Sequence, residues 1–223
     1  AREVAALDRL TAHQWLSREG FTSPAVRWWV EYGTRDDYGA SLTQASAWAA
    51  VHYFAGRAND EDGPLTWPEG NAWLVAQLER RLSRRSAADG HARVITGAPV
   101  AQLTRDGARW VVETPAARVV ADAVVWAAPL GVLPRVAPGV ALPVTLDHAP
   151  WVVANLVLDR LPEERGAPLA WDNVLYGSPS LGYVNAAHQW LGAPLRHPVW
   201  TWYHAVADRP GADARRWLQQ RPW

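Results

Sequence analysis

The 223-residue chain contains no cysteine and no methionine, and it also lacks lysine, since all 22 of its basic residues are arginine. Without cysteine it can form no disulfide, no thiolate metal site and no thiol nucleophile. Without lysine it can form no Schiff base with a substrate or cofactor. Because methionine is absent, we expect that Ala1 is not the native translation start. The exclusive use of arginine is typical of a GC-rich bacterial genome.

Charge and hydrophobic patterning exclude two further classes of partner. The formal net charge is zero and no basic stripe is present, so we expect no nucleic-acid binding. No apolar run reaches membrane-spanning length and no signal peptide opens the chain, which predicts a soluble protein, cytoplasmic rather than exported. Hydrophobic residues make up 49% of the chain and include 15 tryptophans, which fill cores and can also line pockets for flat ligands.

The chain has no glycine motif for nucleotide phosphates. A dinucleotide fold needs G-x-G-x-x-G between a strand and a helix, so that the backbone can approach the pyrophosphate. No two of the 16 glycines stand two positions apart, and no P-loop is present. The chain therefore lacks a complete Rossmann unit and cannot hold a dinucleotide in that way by itself.

Ser180 and three histidines do not form a recognisable catalytic or metal motif. Residues 177–182, "GSPSLG", resemble a nucleophile elbow, but the spacing is not G-x-S-x-G and both flanks are predicted strands. An ordinary turn explains them. His188, His197 and His204 are scattered without metal-ligand spacing, which favours structural histidines. We expect no metal site, and the sequence assigns no catalytic residue.

Two acidic clusters have simpler explanations than a site. Positions 3, 5, 6 and 12 of a calcium loop would be Asp60, Asp62, Gly63 and Glu69. Ala58 stands where the first carboxylate ligand belongs, so a solvated acidic loop is the simpler interpretation. Asp36 and Asp37 point about 100° apart on a helix and do not share a proton easily. Arg35 beside them favours a salt-bridged surface or an interdomain contact.

Residues 1–86 have helical patterning. Thr11 with Gln14, and Ser41 with Gln44, match the capping box that opens a helix. Ser23-Pro24 is a further helix start. Another helix is predicted from about Gly70-Asn71, with apolar positions 74, 75, 78 and 82 at helical spacing.

The chain then changes to β-type patterning. Residues 92–97 predict a short strand, and 99–114 predict a hairpin whose turn is Asp106-Gly107. Residues 119–130, "VVADAVVWAAPL", predict a buried central strand. Prolines at 129, 134, 138 and 143 predict an irregular crossover after it.

The last part of the chain predicts an antiparallel sheet and a final helix. Four strand-like runs follow Pro150, and a helix begins at about Ala212 and stops near the chain end, which suggests truncation. The predicted fold class is α+β, with a helical N-terminal part, a β-meander and an antiparallel sheet packed with helices. The predicted segments are 1–86, 87–135 and 136–223.

The order of elements over roughly residues 65–135 resembles the flavin-containing amine oxidase superfamily, with its protoporphyrinogen oxidase-like and phytoene desaturase-like members. The resemblance lies in "LTWPEGNAWLVAQLERRL", "ARVITGAPVAQLTRDGARWVVET" and "ARVVADAVVWAAPLGVL". It implies an internal fragment of a FAD-dependent oxidoreductase. Residues 1–86 and 136–223 would belong to the substrate domain, and 87–135 would be the meander and crossover strand of the FAD domain.

The resemblance also implies contacts with cofactor and substrate. FAD would be held mainly by segments outside this chain, so that the chain alone would not retain FAD and would be inactive. Cofactor contacts within it would be made by Pro99, Val100, Ala127 and Ala128. The candidate substrate-binding residues are Trp151, Asn155, Asn173, Tyr176, Tyr183 and Tyr203, of which strand alternation lets about half face one pocket.

The sequence leaves three questions open: the substrate, the class of protein, and what covers residues 124–126. Where many amine oxidases carry a lysine, this chain reads "HAPWVVANL", so an amine substrate and an apolar desaturase substrate both remain open. A non-enzymatic, tryptophan-rich module that binds a carbohydrate or another ligand is the alternative function. We expect Val124, Val125 and Trp126 to be incompletely covered in this chain, or covered by a second copy in a homodimer.

Overall fold

The computed structural model describes residues 2–57, 67, 69–89, 92–142, 147–163, 165–185 and 196–222. The predicted calcium loop, apart from Trp67 and Glu69, lies outside these residues, and so does His188. The helices are α1 (Arg2–Asp8), α2 (Ala12–Arg18), α3 (Pro24–Tyr38), α4 (Ala47–Ala55), α5 (Asn71–Asp89), α6 (Leu133–Val136) and α7 (Gly211–Gln219). The strands are β1 (Gln102–Asp106), β2 (Arg109–Glu113), β3 (Arg118–Ala121), β4 (Trp151–Val157), β5 (Asp172–Asn173), β6 (Tyr183–Asn185) and β7 (Val199–Ala205).

The chain forms two compact units. Unit 1 comprises Ala1–Pro68 and Asp147–Trp223, and unit 2 comprises Glu69–Leu146. Helix α5 therefore groups with the β-meander. The assignment of segments 1–86, 87–135 and 136–223 to substrate and FAD domains concerns function and stays a prediction.

The predicted helix starts of unit 1 are confirmed at α2 and α3. The Thr11 hydroxyl accepts the Gln14 amide at 3.1 Å, and the Gln14 side chain accepts the Thr11 amide at 2.9 Å, which completes the capping box. Pro24 opens α3, and Gly39 ends it in the left-handed conformation.

The predicted helix start at Ser41 is wrong. The Gln44 side chain accepts the Ser41 amide at 2.9 Å, but residues 42–44 form a turn, and Ser46 is the N-cap of α4. The cause is tertiary: the Leu42 and Ala45 carbonyls accept the amides that open α2, from His13 and Ala12. These carbonyls are directed towards α2 and are not available to begin a helix of their own.

The predicted antiparallel sheet of unit 1 is confirmed, with strand order β4-β7-β6-β5. Its longest pairing joins β4 to β7 over seven residues, from Trp151 opposite Ala205 to Val157 opposite Val199. Helix α3 connects this sheet to the helical layer. Val30 on α3 packs among α2 and α4, whereas Tyr32 packs on Tyr53, Leu181 and Ala205.

Unit 2 contains a three-stranded meander of order β1-β2-β3. The predicted hairpin is confirmed, with Gly107 at φ +61° in the turn. Leu103 packs with Leu133, Val136 and Ala137 of the crossover to form the core of this unit. On α5 the four apolar positions at helical spacing, 74, 75, 78 and 82, are all exposed rather than buried.

Two predicted strands of unit 2 are wrong. Residues 92–97 and 123–128 carry no strand, and among the described residues no backbone hydrogen bond joins 123–128 to another segment. Only Arg118–Ala121, as β3, pairs in a sheet. A strand requires a neighbour for its amides and carbonyls. The segment 123–128 still alternates: Val124 and Trp126 pack on the core, while Val125 is 91% exposed.

The exposure of Val125 and the partial exposure of Val124 and Trp126 agree with the expectation that segment 123–128 is incompletely covered.

The secondary structure as a whole is α+β, as predicted, with helices and two antiparallel sheets. Within the described ranges, no helix combines the length and apolar character needed to cross a bilayer.

Candidate functional site: a tyrosine–aspartate cluster beside exposed aromatic rings

The register of the unit 1 sheet separates the predicted substrate residues into two faces. Residues opposite each other in antiparallel strands share a face. Val153 pairs with Tyr203 and Asn155 with Thr201, so Trp151, Asn155 and Tyr203 lie on one face. Asn173 pairs with Tyr183, and Tyr183 with Trp202, which places both Asn173 and Tyr183 on the other face. Tyr176 lies in the loop after β5.

On the first face, two tyrosines share one carboxylate. The Tyr32 hydroxyl donates to Asp172 Oδ2 and the Tyr203 hydroxyl donates to Asp172 Oδ1, each at 3.0 Å. Tyr32 comes from α3, Asp172 from β5 and Tyr203 from β7, so the three residues join the helical layer to the sheet. Tyr32 is only 3% exposed. Both oxygens of the carboxylate therefore accept a tyrosine hydroxyl, one from the buried Tyr32 and one from the half-buried Tyr203.

A second carboxylate group lies near the first. The Tyr53 hydroxyl donates to Asp36 Oδ2 at 3.0 Å. Arg57 Nη2 lies 3.5 Å from Asp36 and 3.2 Å from Asp37, and its guanidinium is 3.2 Å from the centre of the Tyr53 ring. The absence of a side chain at Gly33 makes this arrangement possible, because a Cβ there would lie 2.7 Å from the Tyr53 ring.

The salt-bridged surface predicted at Asp36 and Asp37 is present, but Arg57 forms it rather than the neighbouring Arg35. Arg35 instead donates from Nη1 to the Pro179 carbonyl at 2.7 Å. We call Tyr32, Asp172, Tyr203, Asp36, Tyr53 and Arg57 the tyrosine–aspartate cluster.

The cluster tyrosines hold their protons more tightly than an ordinary tyrosine does, mainly because they are removed from solvent. Burial raises the pKa of Tyr32, Tyr53 and Tyr203 well above the ordinary value of 10.0, and the neighbouring carboxylates Asp36 and Asp172 raise it further. These hydroxyls are thus hydrogen-bond donors at neutral pH and not general bases. The cluster is suited to fixing the positions of the Asp172 and Asp36 carboxyl groups.

Burial also raises the pKa of Asp36 above its ordinary value of 3.8, against the opposing effects of Tyr53 and Arg57. A carboxyl with a raised folded-state pKa stabilises the fold fully below its unfolded-state pKa, and this contribution is lost as the pH rises through the folded-state pKa. Asp36 should therefore make the free energy of unfolding fall as the pH rises, and we expect Asp36→Asn to remove this fall. Urea unfolding of both proteins at a series of pH values from 3 upward measures the difference.

Tyr53→Phe is the companion variant for this prediction. It removes the hydrogen bond that lowers the pKa of Asp36, so the fall should extend to higher pH than in the wild type. If Asp36→Asn keeps the wild-type dependence on pH, the assignment of the effect to Asp36 is wrong.

A set of aromatic rings continues from Tyr32 towards solvent. Trp29 stacks on Tyr32 with ring centres 5.5 Å apart, and Trp28 lies 4.7 Å from Tyr176 and 6.1 Å from Tyr32. Trp29 is 49% exposed and Tyr176 is 63% exposed. We call Trp28, Trp29 and Tyr176 the aromatic surface. Aromatic faces with carboxylates behind them attract cations and also accept flat apolar groups.

The remaining predicted substrate residues have local partners. The Trp151 ring lies 6.3 Å from that of Tyr203, so it adjoins the cluster. Asn155 accepts the Thr201 hydroxyl at 2.8 Å. Asn173 closes a turn through the Ala170 carbonyl at 2.7 Å, and Tyr183 stacks on Trp200 at 4.2 Å.

The structure therefore brings Tyr203 and Trp151 together, and Tyr176 reaches the same region through Trp28 and Tyr32. Asn155 shares their sheet face, but its side chain hydrogen-bonds to Thr201 and not to the cluster. Asn173 and Tyr183 lie on the opposite face. Sequence reasoning missed Tyr32, Tyr53 and Asp172. To choose Asp172 rather than its neighbour Asn173 as a site residue, one would need to know the strand register, which cannot be read from the sequence.

The predicted cofactor residues all lie in unit 2 and are exposed. Val100 is 37% exposed, and Pro99, Ala127 and Ala128 are exposed as well. Within the described part of the chain, no backbone hydrogen bond to another segment uses Val100, Ala127 or Ala128. Free backbone groups of this kind fit a cofactor that is recognised through the main chain, as the adenine end of a dinucleotide is.

Ser180 behaves as a turn residue. Its hydroxyl lies 2.8 Å from that of Ser178 and accepts the Gly182 amide at 3.3 Å. Among the described residues it bonds to no histidine, so the elements of a nucleophile–base pair are not assembled around it.

In unit 1, the aromatic surface and the tyrosine–aspartate cluster lie where the helical layer packs on the antiparallel sheet. The profile of the flavin containing amine oxidoreductase family matches residues 2–156 of this chain. Because this match covers more than half of its length, the chain belongs to that family. FAD is accordingly the cofactor of the full-length protein. A search of curated proteins found no significant match.

Proposed function

We propose that this chain supplies the substrate-binding part of a FAD-dependent oxidoreductase, together with a portion of its FAD-binding domain. The observation that carries the proposal is the continuity of the aromatic surface with the tyrosine–aspartate cluster through Tyr32. Such a region receives a ligand against rings and holds it near fixed negative charge.

The negative charge favours an amine over a purely apolar substrate. Asp172, Asp36 and Asp37 contribute three carboxylates, whereas Arg57 is the only cation bonded to any of them among the described residues. A protonated amine near Tyr176 and Trp29 would gain both cation–π and longer-range attraction. Trp151 and Tyr203 would support the site from the sheet. Asn155, Asn173 and Tyr183 stay candidate contacts.

FAD, when bound, supplies the acceptor for the electrons removed from the substrate. We assign Pro99, Val100, Ala127 and Ala128 to contacts with it, and residues 87–135 to the FAD domain. Residues 1–86 and 136–223 would then bind and orient the substrate and exclude water from it. The exposed apolar side chains of unit 2, Val125 above all, support a covering partner, either the rest of the FAD domain or a second copy in a homodimer.

The substrate-binding proposal is tested by titrating the chain with 2-phenylethylammonium and, as the neutral analogue, 2-phenylethanol at pH 7. We expect saturable changes in tryptophan fluorescence, with the ammonium form bound more tightly. Tyr176→Ala should weaken binding roughly fivefold, because an exposed cation–π contact with its ring contributes about 1 kcal/mol. Phe21→Ala, which removes another exposed ring of unit 1 outside the aromatic surface and the candidate contacts, is the matched control and should bind as the wild type does.

Two other results of this titration would contradict parts of the proposal. Equal binding of the neutral analogue would favour the apolar substrate. Binding lost equally in both variants would remove the aromatic surface as the site. The flavin assignment is tested separately on the complete gene product, which should be yellow with FAD when purified. A colourless product that binds a carbohydrate saturably would favour the tryptophan-rich binding module instead.

A further inference from the structure

Arg35 is a buried cation whose guanidinium is largely without partners. It is 8% exposed, and of its five N–H donors the structure pairs one, Nη1 with the Pro179 carbonyl. Its Nε is buried without a hydrogen-bond partner. Among the described residues no carboxylate lies within ion-pair distance of it. A buried charge in this state is costly, and most such charges are paired.

The same residue lines a cavity of about 450 Å³ in unit 1. Its walls come from α3, the turn after α3, the loop before β6 and the end of β7. The polar lining residues besides Arg35 are Glu31, Ser41, Thr43, His204 and Asp208. The Ser41 and Thr43 hydroxyls at this cavity hydrogen-bond to each other at 3.0 Å, which leaves one of the two O–H groups free to donate. The cavity therefore combines a guanidinium with a neutral donor, which is the set that recognises an anion.

The two carboxylates of the cavity already have partners of their own. Glu31 Oε2 accepts the Leu42 amide at 3.0 Å. Asp208 accepts both Arg209 Nε, at 3.0 Å, and Arg209 Nη2, at 2.6 Å. Neither is therefore committed to Arg35, although both contribute negative charge to the walls. That charge repels a dianion more strongly than a monoanion, which favours a carboxylate over a phosphate.

We propose that the Arg35 cavity binds a small monocarboxylate, with the Arg35 guanidinium as the charged contact and the Ser41–Thr43 hydroxyl pair supplying one O–H donor. This site is distinct from the aromatic surface, and it does not depend on the proposed oxidoreductase function. It would neutralise a charge that the described part of the chain leaves unpaired.

The test is calorimetric titration of the chain with sodium propionate, at an ionic strength kept constant with chloride. Propionamide, of the same shape without the charge, and inorganic phosphate are the comparison ligands. We expect saturable propionate binding, at least roughly tenfold weaker binding of phosphate and no binding of propionamide. Arg35→Gln should weaken propionate binding roughly tenfold or more, as for the loss of a charged hydrogen bond.

Arg27→Gln is the matched control. Arg27 lies on the same helix, and its guanidinium bonds instead to the Phe21 carbonyl and the Ser17 hydroxyl. This variant should bind propionate as the wild type does. If Arg35→Gln does not fold, Arg35→Lys and Ser41→Ala decide, since each should weaken binding severalfold while circular dichroism stays native. No saturable binding, equal binding of phosphate, or binding unaffected by all Arg35 and Ser41 variants overturns the proposal.

Discussion

Gly182→Ala is expected to lower the free energy of unfolding of unit 1 by about 3 kcal/mol or more, the sum of backbone strain and overpacking. Gly182 has φ +93°, which side chains rarely allow, and a Cβ there would meet the backbone carbonyl of Asn173. The backbones of Asn173 and Gly182 cannot easily move apart, because Asn173 pairs with Tyr183 and the Gly182 carbonyl accepts the Tyr203 amide.

Gly177→Ala separates the two contributions. Gly177 also has a positive φ, +77°, but a Cβ there would have no atom within 4 Å. This variant should lose only the conformational part, about 1 kcal/mol. Urea unfolding followed by tryptophan fluorescence gives both values. Equal losses in the two variants would mean that the contact with Asn173 is relieved by a movement that the structure does not indicate.

Asp172→Ala is expected to cost about 2–5 kcal/mol of stability, because it leaves the hydroxyls of the buried Tyr32 and the half-buried Tyr203 without their acceptor. The cost comes mainly from the unsatisfied donors and less from the lost carboxylate itself. Asp172→Asn keeps one acceptor oxygen and should therefore lose about half as much. Thermal and urea unfolding of the three proteins provide the measurement.

A triple variant tests that mechanism. Adding Tyr32→Phe and Tyr203→Phe to Asp172→Ala removes the stranded hydroxyls and should recover part of the lost stability, since replacing both partners of a hydrogen bond is less costly than replacing one. If the triple variant is the least stable of the series, the rings and not the hydroxyls determine the effect.

Elements governed by local interactions could be predicted from the sequence. The Thr11–Gln14 capping box is satisfied within one turn, and the Asp106-Gly107 hairpin needs only adjacent residues. The four strands after Pro150 were found because strand patterning is itself local. The family resemblance rested on the order of such elements.

Elements governed by distant partners could not be predicted. The turn at Ser41 carries half a capping box, but its neighbouring carbonyls are used by α2. The choice between Asp172 and Asn173 depends on which sheet face each occupies, and that face is set by pairing with β6. For the same reason the tyrosine–aspartate cluster, assembled from four separate parts of the chain, has no signature in the sequence.

Segment 123–128 has a thermodynamic consequence for assembly. Its side chains already alternate between the core and solvent, with Val124 and Trp126 inward and Val125 outward, although no strand pairs with it among the described residues. Ordering a flexible backbone costs roughly 1–2 kcal/mol per residue. Because the packing of unit 2 already holds this segment in place, the free energy of pairing with a neighbouring strand would not have to offset the entropy cost of ordering it. Preorganisation of this kind makes association both tighter and more selective than hydrophobic contact alone.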